Sequence, residues 1–456
     1  MLNIFLLILS LLPSFLLGFA FMTFFFKNEK ELTQLQKISL AFFLGTGIFT
    51  MFLFLLSLLK ISWNSLGISL IFILFSLVIL LKSSFYKINL SKQLSGLKQI
   101  RIKINPIKTL VVCLVIFKLF TIFYLSIDKP ILNFDAWSNW SLRAKVFYYQ
   151  KGIPQDPKGE FFLGGGGHIN YPLQIPILQA WIYTTLGSWN DQLVKIIFPL
   201  YLVAFILFMY SFIVKTVGSV KALLFTFIFI SLPFINYHTS ADYADLPVGL
   251  YTGVATMLLL LFLQTKRFSF LILSSLMLGC SGWIKNEGLI LLSLVLILLL
   301  VYYFQGLFGK KQAIKFMPSF FAGLIFLLPW IIYKASLGLG FSNLGSNITG
   351  LSFQSIHFQV LPVVLTGILT TSNYSLLWPA FLVSVLLTGR KSTKNINSII
   401  LLIAFYFLFL LSTYLLTDNY LYILDGTILQ RNLLIIAPSI FWVVTLIWEK
   451  YFTDHV

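Results

Sequence analysis

The side chains able to do chemistry fall in five short stretches of a chain otherwise poor in charge. In Asn133 to Gly152, NFDAWSNWSLRAKVFYYQKG, one carboxylate, Asp135, stands beside Trp137 and Trp140 and is followed by Arg143 and Lys145. His168-Ile-Asn170-Tyr171-Pro172 follows the glycine run Gly164 to Gly167, which would let the backbone come close to a ligand. Ala241-Asp242-Tyr-Ala-Asp245-Leu-Pro247 sets two carboxylates three residues apart, and Lys285-Asn286-Glu287-Gly288 sets a cation and an anion in one tight turn. Arg431 closes the set, between Gln430 and Asn432. Carboxylates so placed can take a proton from a hydroxyl or hold a divalent cation. Lysine and arginine can hold a phosphate, arginine through paired bonds.

Each stretch also fits a plainer role. Asp135 could be a solvated acid within an aromatic belt at the headgroup level, and Asp245 an N-terminal cap facing a helix dipole. His168 to Pro172 could simply end a loop at a helix starting near Pro172. Lys285 and Glu287 could neutralise one another at a helical hairpin, and Arg431 could snorkel from the edge of a span. An Arg on the outer side nevertheless runs against the positive-inside bias.

The elements that must position these residues are set by composition. Of 456 residues, 59% are hydrophobic and only 10% charged, whereas soluble domains carry about 25% charged residues, so the chain reads as a polytopic membrane protein. A net charge of +18 would suggest nucleic acid in a soluble protein. Here the cations lie in short loops between apolar spans and orient the chain against anionic lipid, which argues against a nucleic-acid partner. The two cysteines, Cys113 and Cys280, lie inside apolar spans without metal-ligand spacing and read as small core residues.

The reading is all-α, with about thirteen transmembrane helices. The strongest topological signal is 82–108, which carries Lys82, Lys87, Lys92, Lys98, Arg101, Lys103 and Lys108 and no acid. This places that loop in the cytoplasm and the next loop, 128–191, on the outer face. The chain divides into N-terminal helices 1–127, the outer-face loop 128–191 with short amphipathic helices, central helices 192–335, and C-terminal helices 336–456. Ala136 to Tyr149 is expected to form one such helix lying in the lipid headgroups. Phe358 to Thr371 is expected to be interfacial or re-entrant. The acids Asp128, Asp135, Asp156, Glu160, Asp191, Asp242, Asp245, Glu287, Asp418 and Asp425 then gather on the outer side. Acids contribute little to insertion, so orientation alone does not explain that gathering.

In this order, Asp135-Ala-Trp with Arg143-Ala-Lys145, His168-x-Asn-Tyr-Pro172-Leu, Tyr243-Ala-Asp245-Leu-Pro247, Lys285-Asn-Glu-Gly288 and Gln430-Arg431-Asn-Leu-Leu434 with Pro438 resemble bacterial membrane glycosyltransferases of the GT-C fold. The group includes the protein O-mannosyltransferases and the lipid A aminoarabinose transferase. The resemblance covers Asp135 to Pro438. It departs from the family at Asn170, where Asp is more usual, and in the three spans before the Asp135 loop, where many relatives have one.

The resemblance implies a multi-pass enzyme of the cytoplasmic membrane with its site on the outer face. It would move a hexose or pentose from a polyprenyl-phosphate donor to a glycan, lipid or protein acceptor. It implies Asp135 as base, assisted by Asp245. Lys285 and Arg431, with Arg143 and Lys145, would hold the donor phosphate. Trp137, Trp140, His168, Tyr171, Asp242 and Glu287 would contact substrate. The pattern names no cofactor outright; the acids would suit Mg²⁺ or Mn²⁺, with Asp135 and Asp245 as ligands. Two other classes stay open. A lipid-linked sugar flippase should carry repeats and broken helices, and neither is found. An O-antigen polymerase or ligase should carry its long loop late in the chain, whereas here it is early.

Overall fold

The computed structural model describes residues 2–83, 105–165, 168–306, 310–340, 356–370, 372–391 and 394–453. The expectations for Lys87 to Lys103 and for Gly166 and Gly167 fall outside those residues, as does most of the Gly/Ser/Asn-rich loop before His357. What is described is all-helical, and no strand occurs among the described residues. Nine helices there are long and apolar enough to cross a membrane: Leu2–Phe25, Gln34–Leu58, Ser65–Lys82, Pro106–Asp128, Leu193–Val217, Asp245–Thr265, Glu287–Phe304, Lys315–Ser336 and Asn395–Leu416. The chain is therefore an all-α polytopic protein. Four of the thirteen expected spans are shorter: Ser219–Ser231 with Pro233–His238 after it, Phe268–Ile284, Leu377–Lys391 and Ala437–Thr453. Val360–Leu369, the segment expected to be interfacial, has 10 residues, about 15 Å of helix at ~1.5 Å per residue.

The helix starts are written locally. Thr33 and Gln36 form a reciprocal capping box at the start of Gln34–Leu58. Asn105 accepts from the Lys108 amide while Pro106 fills the first turn of Pro106–Asp128, so the helix leading to the Asp135 segment begins where the lysine-rich loop stops.

Asp245–Thr265 is the central post, its apolar length almost wholly buried. Around it pack Phe268–Ile284, Ile197–Val217 and Ala437–Thr453. Ser65–Lys82 and Pro106–Asp128 stay at the edge, with Leu70, Ile71, Leu74, Phe117 and Phe120 exposed as lipid-facing residues should be. Both ends of the post carry ion pairs. At its C-terminal end Arg267 pairs with Glu29 and Glu31, each at 3.3 Å. At its N-terminal end lies Asp245, and the candidate site is built there.

Between Asp128 and Leu193 the chain makes a helical cap. Ala136–Trp140 is a single π-helical turn running into the helix Ser141–Gln150, and Gln174–Leu186 follows after a loop. The expected headgroup-lying helix is corrected here. Ala136, Trp140, Ala144 and Phe147 are buried against protein, and of the aromatic positions Trp137, Trp140, Phe147 and Tyr148 that set the helical spacing only Trp137 is exposed. The apolar face that the sequence offered to lipid is covered by the chain itself.

Candidate functional site

Asp245 is the first residue of the central helix and is completely buried. It does not cap that helix. Its Oδ1 accepts from Lys285 Nζ at 2.9 Å, and its Oδ2 accepts from Arg431 Nε and Nη2 at 3.0 and 2.9 Å. Lys285 also meets Glu287 Oε1 at 2.8 Å, and Arg431 Nη1 donates to Asp135 Oδ2 at 2.6 Å. A row of five charges results, Asp135, Arg431, Asp245, Lys285 and Glu287, drawn from four separate parts of the sequence.

Two glycines allow this approach. Gly249 stands one turn after Asp245, where a Cβ would lie 2.6 Å from Leu434 O, one turn after Arg431. The central helix and the short helix Leu429–Leu434 thus touch backbone to backbone just below the ion pairs. At Gly288 a Cβ would fall 2.3 Å from Ser281 C, so the hairpin joining Phe268–Ile284 to Glu287–Phe304 closes tightly and holds Lys285 at its tip. Lys285 is extended there, and its carbonyl accepts from the Gly288 amide at 3.0 Å.

Rings line the ion pairs. Tyr243 lies under the Arg431 guanidinium, 4.7 Å from its carbon, and the Tyr171 ring is 5.7 Å from Lys285 Nζ. Trp140 stacks on Tyr171 with centroids 5.5 Å apart, and His168 meets the same tyrosine edge-on. Burial works against both cations, yet the neighbouring carboxylates outweigh it. Asp245 and Glu287 raise the Lys285 pKa, and Asp245 and Asp135 raise that of Arg431, so both stay charged. Glu287 Oε2 is buried and has no partner among the described residues.

Other expected site residues lie elsewhere. Arg143 is completely buried and donates to backbone carbonyls: from Nε to Leu163 at 2.9 Å, and from Nη1 to Tyr171 at 3.2 Å and His168 at 3.3 Å. It organises the loop that presents His168 and Tyr171 rather than facing the ion pairs, and burial lowers its pKa to about 9. Lys145 pairs with Asp191 at 3.3 Å and lies 3.5 Å over the Trp189 ring, apart from the row of charges. Trp137 is half exposed and packs on Phe134. Asp242 has left-handed backbone, φ 59°, and its side chain has partners other than those of Asp245. Its carboxyl accepts from Ser141 Oγ and, at 2.5 Å, from Gln179 Nε2. Burial pushes its pKa up to about 7 against those bonds.

Some neighbours escaped the sequence reading. His238 is completely buried beside Tyr243, with neither ring nitrogen bonded among the described residues; burial lowers its pKa to about 3 and keeps it neutral. Asn133 ties the two acid-bearing segments together, donating to Ala241 O at 3.2 Å and accepting from Tyr237 Oη at 2.8 Å. Lys334 donates to Asn170 O at 2.9 Å behind the His168 loop. Only His238 carried a sequence signal, being four residues before Asp242 in the same polar turn.

No family model, curated protein or solved structure matches the chain. The site's own geometry must speak for it. Among the described residues no group of three His, Cys, Asp or Glu is placed to hold a metal ion. Asp135 and Asp245, the two ligands considered for one, are bridged instead by Arg431. The arrangement offers a partly exposed carboxylate, a guanidinium whose fork is fixed from behind by a buried acid, and an ammonium with one proton left to donate. Such a set can hold an anion and accept a proton beside it.

Proposed function

We propose that the chain is a membrane glycosyltransferase of the GT-C type. It would move a sugar from a polyprenyl-phosphate donor to a hydroxyl of a glycan, lipid or protein on the outer face of the cytoplasmic membrane. The observation that carries this reading is Arg431, held at the head of the central helix between buried Asp245 and half-open Asp135, with Lys285 beside it. Intramembrane charges at the rim of a bundle, paired with one another, are what a charged lipid headgroup requires.

In this reading the donor phosphate sits on Arg431 and Lys285. The acceptor oxygen attacks the anomeric carbon while its proton passes to Asp135. The bond from that carbon to the phosphate oxygen breaks, and the electron pair leaves with the phosphate onto the two cations. Asp245 touches neither reactant and fixes both cations. Tyr171, stacked on Trp140 and next to Lys285, offers a ring face to the sugar, and Glu287 Oε2 can accept from one of its hydroxyls.

Incubating the purified full chain with a panel of polyprenyl phosphate sugars and following release of the lipid phosphate tests the proposal. Wild type should turn over at least one donor, and Asp135→Asn should lose roughly 10² to 10⁴ in rate while still binding it. Transfer by Asp135→Asn within about threefold of wild type would remove Asp135 from the chemistry.

A further inference from the structure

Arg431 divides its guanidinium unevenly. Nε and Nη2 both go to Asp245, whose side chain is wholly buried, while Nη1 goes to Asp135, whose side chain keeps 26% of its surface exposed. The two arms differ in what it takes to open them. Parting Arg431 from Asp245 would leave a buried carboxylate oxygen without its two donors, whereas parting it from Asp135 returns a carboxylate to water. Glu287 cannot leave as Asp135 can, because it stands two residues from its partner in a hairpin turn closed at Gly288.

The charge balance matters as well. Three carboxylates face two cations in this row, one net negative charge. Adding an anion would set a second excess negative charge in a poorly hydrated place, unless the anion takes over a position that a carboxylate now holds. One such position opens to solvent, Nη1 of Arg431.

We propose that Asp135 Oδ2 holds the place of a donor phosphate oxygen, and that the donor binds by displacing Asp135 from Arg431. This rests on the transferase reading above and adds an order of events to it. A carboxylate oxygen held at 2.6 Å by a guanidinium is already engaged in a charge-assisted bond and is not open to an acceptor hydroxyl. Exchange with phosphate moves no proton and sets Asp135 free next to the donor. The base is thus made available by the substrate whose transfer it serves. Donor binds first, and acceptor alone meets a capped base.

The test measures binding of geranyl phosphate to the detergent-solubilised full chain by calorimetry, with geraniol as the uncharged control. Asp135→Asn, which removes the competing charge and leaves Arg431 fixed by Asp245, should bind geranyl phosphate roughly tenfold more tightly than wild type, with geraniol unchanged. Asp135→Ser should shift the same way, so that a defect peculiar to the amide cannot decide the result. Asp156→Asn removes an equal charge from an exposed loop residue and should bind as wild type does. If wild type prefers geranyl phosphate to geraniol but the Asp135 variants bind it no more tightly, displacement is overturned and the transferase reading stands. If wild type shows no preference for the phosphate, both fall.

Discussion

Arg431 Nη1 lies 2.6 Å from Asp135 Oδ2, although the two residues are 296 positions apart in the chain. The pair joins the cap that precedes the central helices to the segment that follows them. Behind it Asp245 fixes the same guanidinium from the head of the central helix. The donor-binding role given to Arg431 depends on this fork geometry and not on charge alone.

Arg431→Lys keeps the charge and loses the fork. Donor-dependent kinetics at matched expression should show both Arg431→Lys and Arg431→Ala impaired, Ala more so, with about tenfold loss for Lys, or ~1.4 kcal/mol of transition-state stabilisation. A Lys variant as active as wild type would mean that the guanidinium fork plays no part in donor use.

Asp245 and Lys285 are both almost fully buried, so removing one leaves the other with a single partner, Arg431 for Asp245 and Glu287 for Lys285. Lys285→Met should lower the thermal midpoint of the purified protein, by analogy with the ~3–5 kcal/mol typical of a broken buried pair. Asp245→Asn combined with Lys285→Met should cost less than the two single effects together, since the bond between them is then lost once and not counted twice. Strict additivity in thermal unfolding would show that the two residues do not act as a pair.

The raised pKa of Asp242 has a sign that can be checked. The folded chain holds this proton up to about pH 7, whereas the unfolded chain releases it near the ordinary carboxyl value of about 4. Folded protein binds the extra proton between those limits, so stability falls as pH rises through that window and levels off above it. In Asp242→Asn the amide can keep the bonds to Ser141 and Gln179 without ionising. Thermal midpoints measured from pH 4.5 to 8 should show the variant gaining on wild type as pH rises. Parallel curves would mean that Asp242 does not titrate there.

Topology can be read with single cysteines in a background lacking Cys113 and Cys280. Lys108 stands near the start of Pro106–Asp128 and Lys158 in the cap beyond its end, both outside the apolar stretch. With an impermeant maleimide on intact cells, position 158 should label and position 108 should not. The reverse pattern would move the site to the cytoplasmic face.

Asp135, Asp245, Lys285, Glu287 and Arg431 were legible in the sequence because charge is so scarce in this chain that each polar residue at the end of a span stands out. What could not be read was how they pair. Nothing in the spacing says that Asp245 takes both cations, or that Asp242, three residues earlier, turns to Ser141 and Gln179. The backbone at Asp242 is left-handed, φ 59°, which no spacing announces. Arg143 and Lys145 share a helix with one another and sit close to Asp135, yet the first is spent on backbone carbonyls and the second on Asp191. Sequence proximity to an acid did not decide what either cation faces. The helical class was legible from composition alone. The nine long spans follow from apolar length, whereas segments such as Ser219–Ser231, cut by Pro233, are too short for length to decide.

The partners of Asp245 stand in sequence order after it. Asp245 enters the bundle first, its Lys285 partner follows at the next hairpin, and Arg431 is supplied only by the segment before the last helix. A nascent chain stopped before Leu429 would carry a buried acid with one of its two cations missing, and an Asp135 with no partner at all. The contact made last is also the one that brings the second cation to three carboxylates. Loss of Arg431 would therefore leave three carboxylates facing a single cation, and would take a partner from both Asp135 and Asp245, which share its guanidinium.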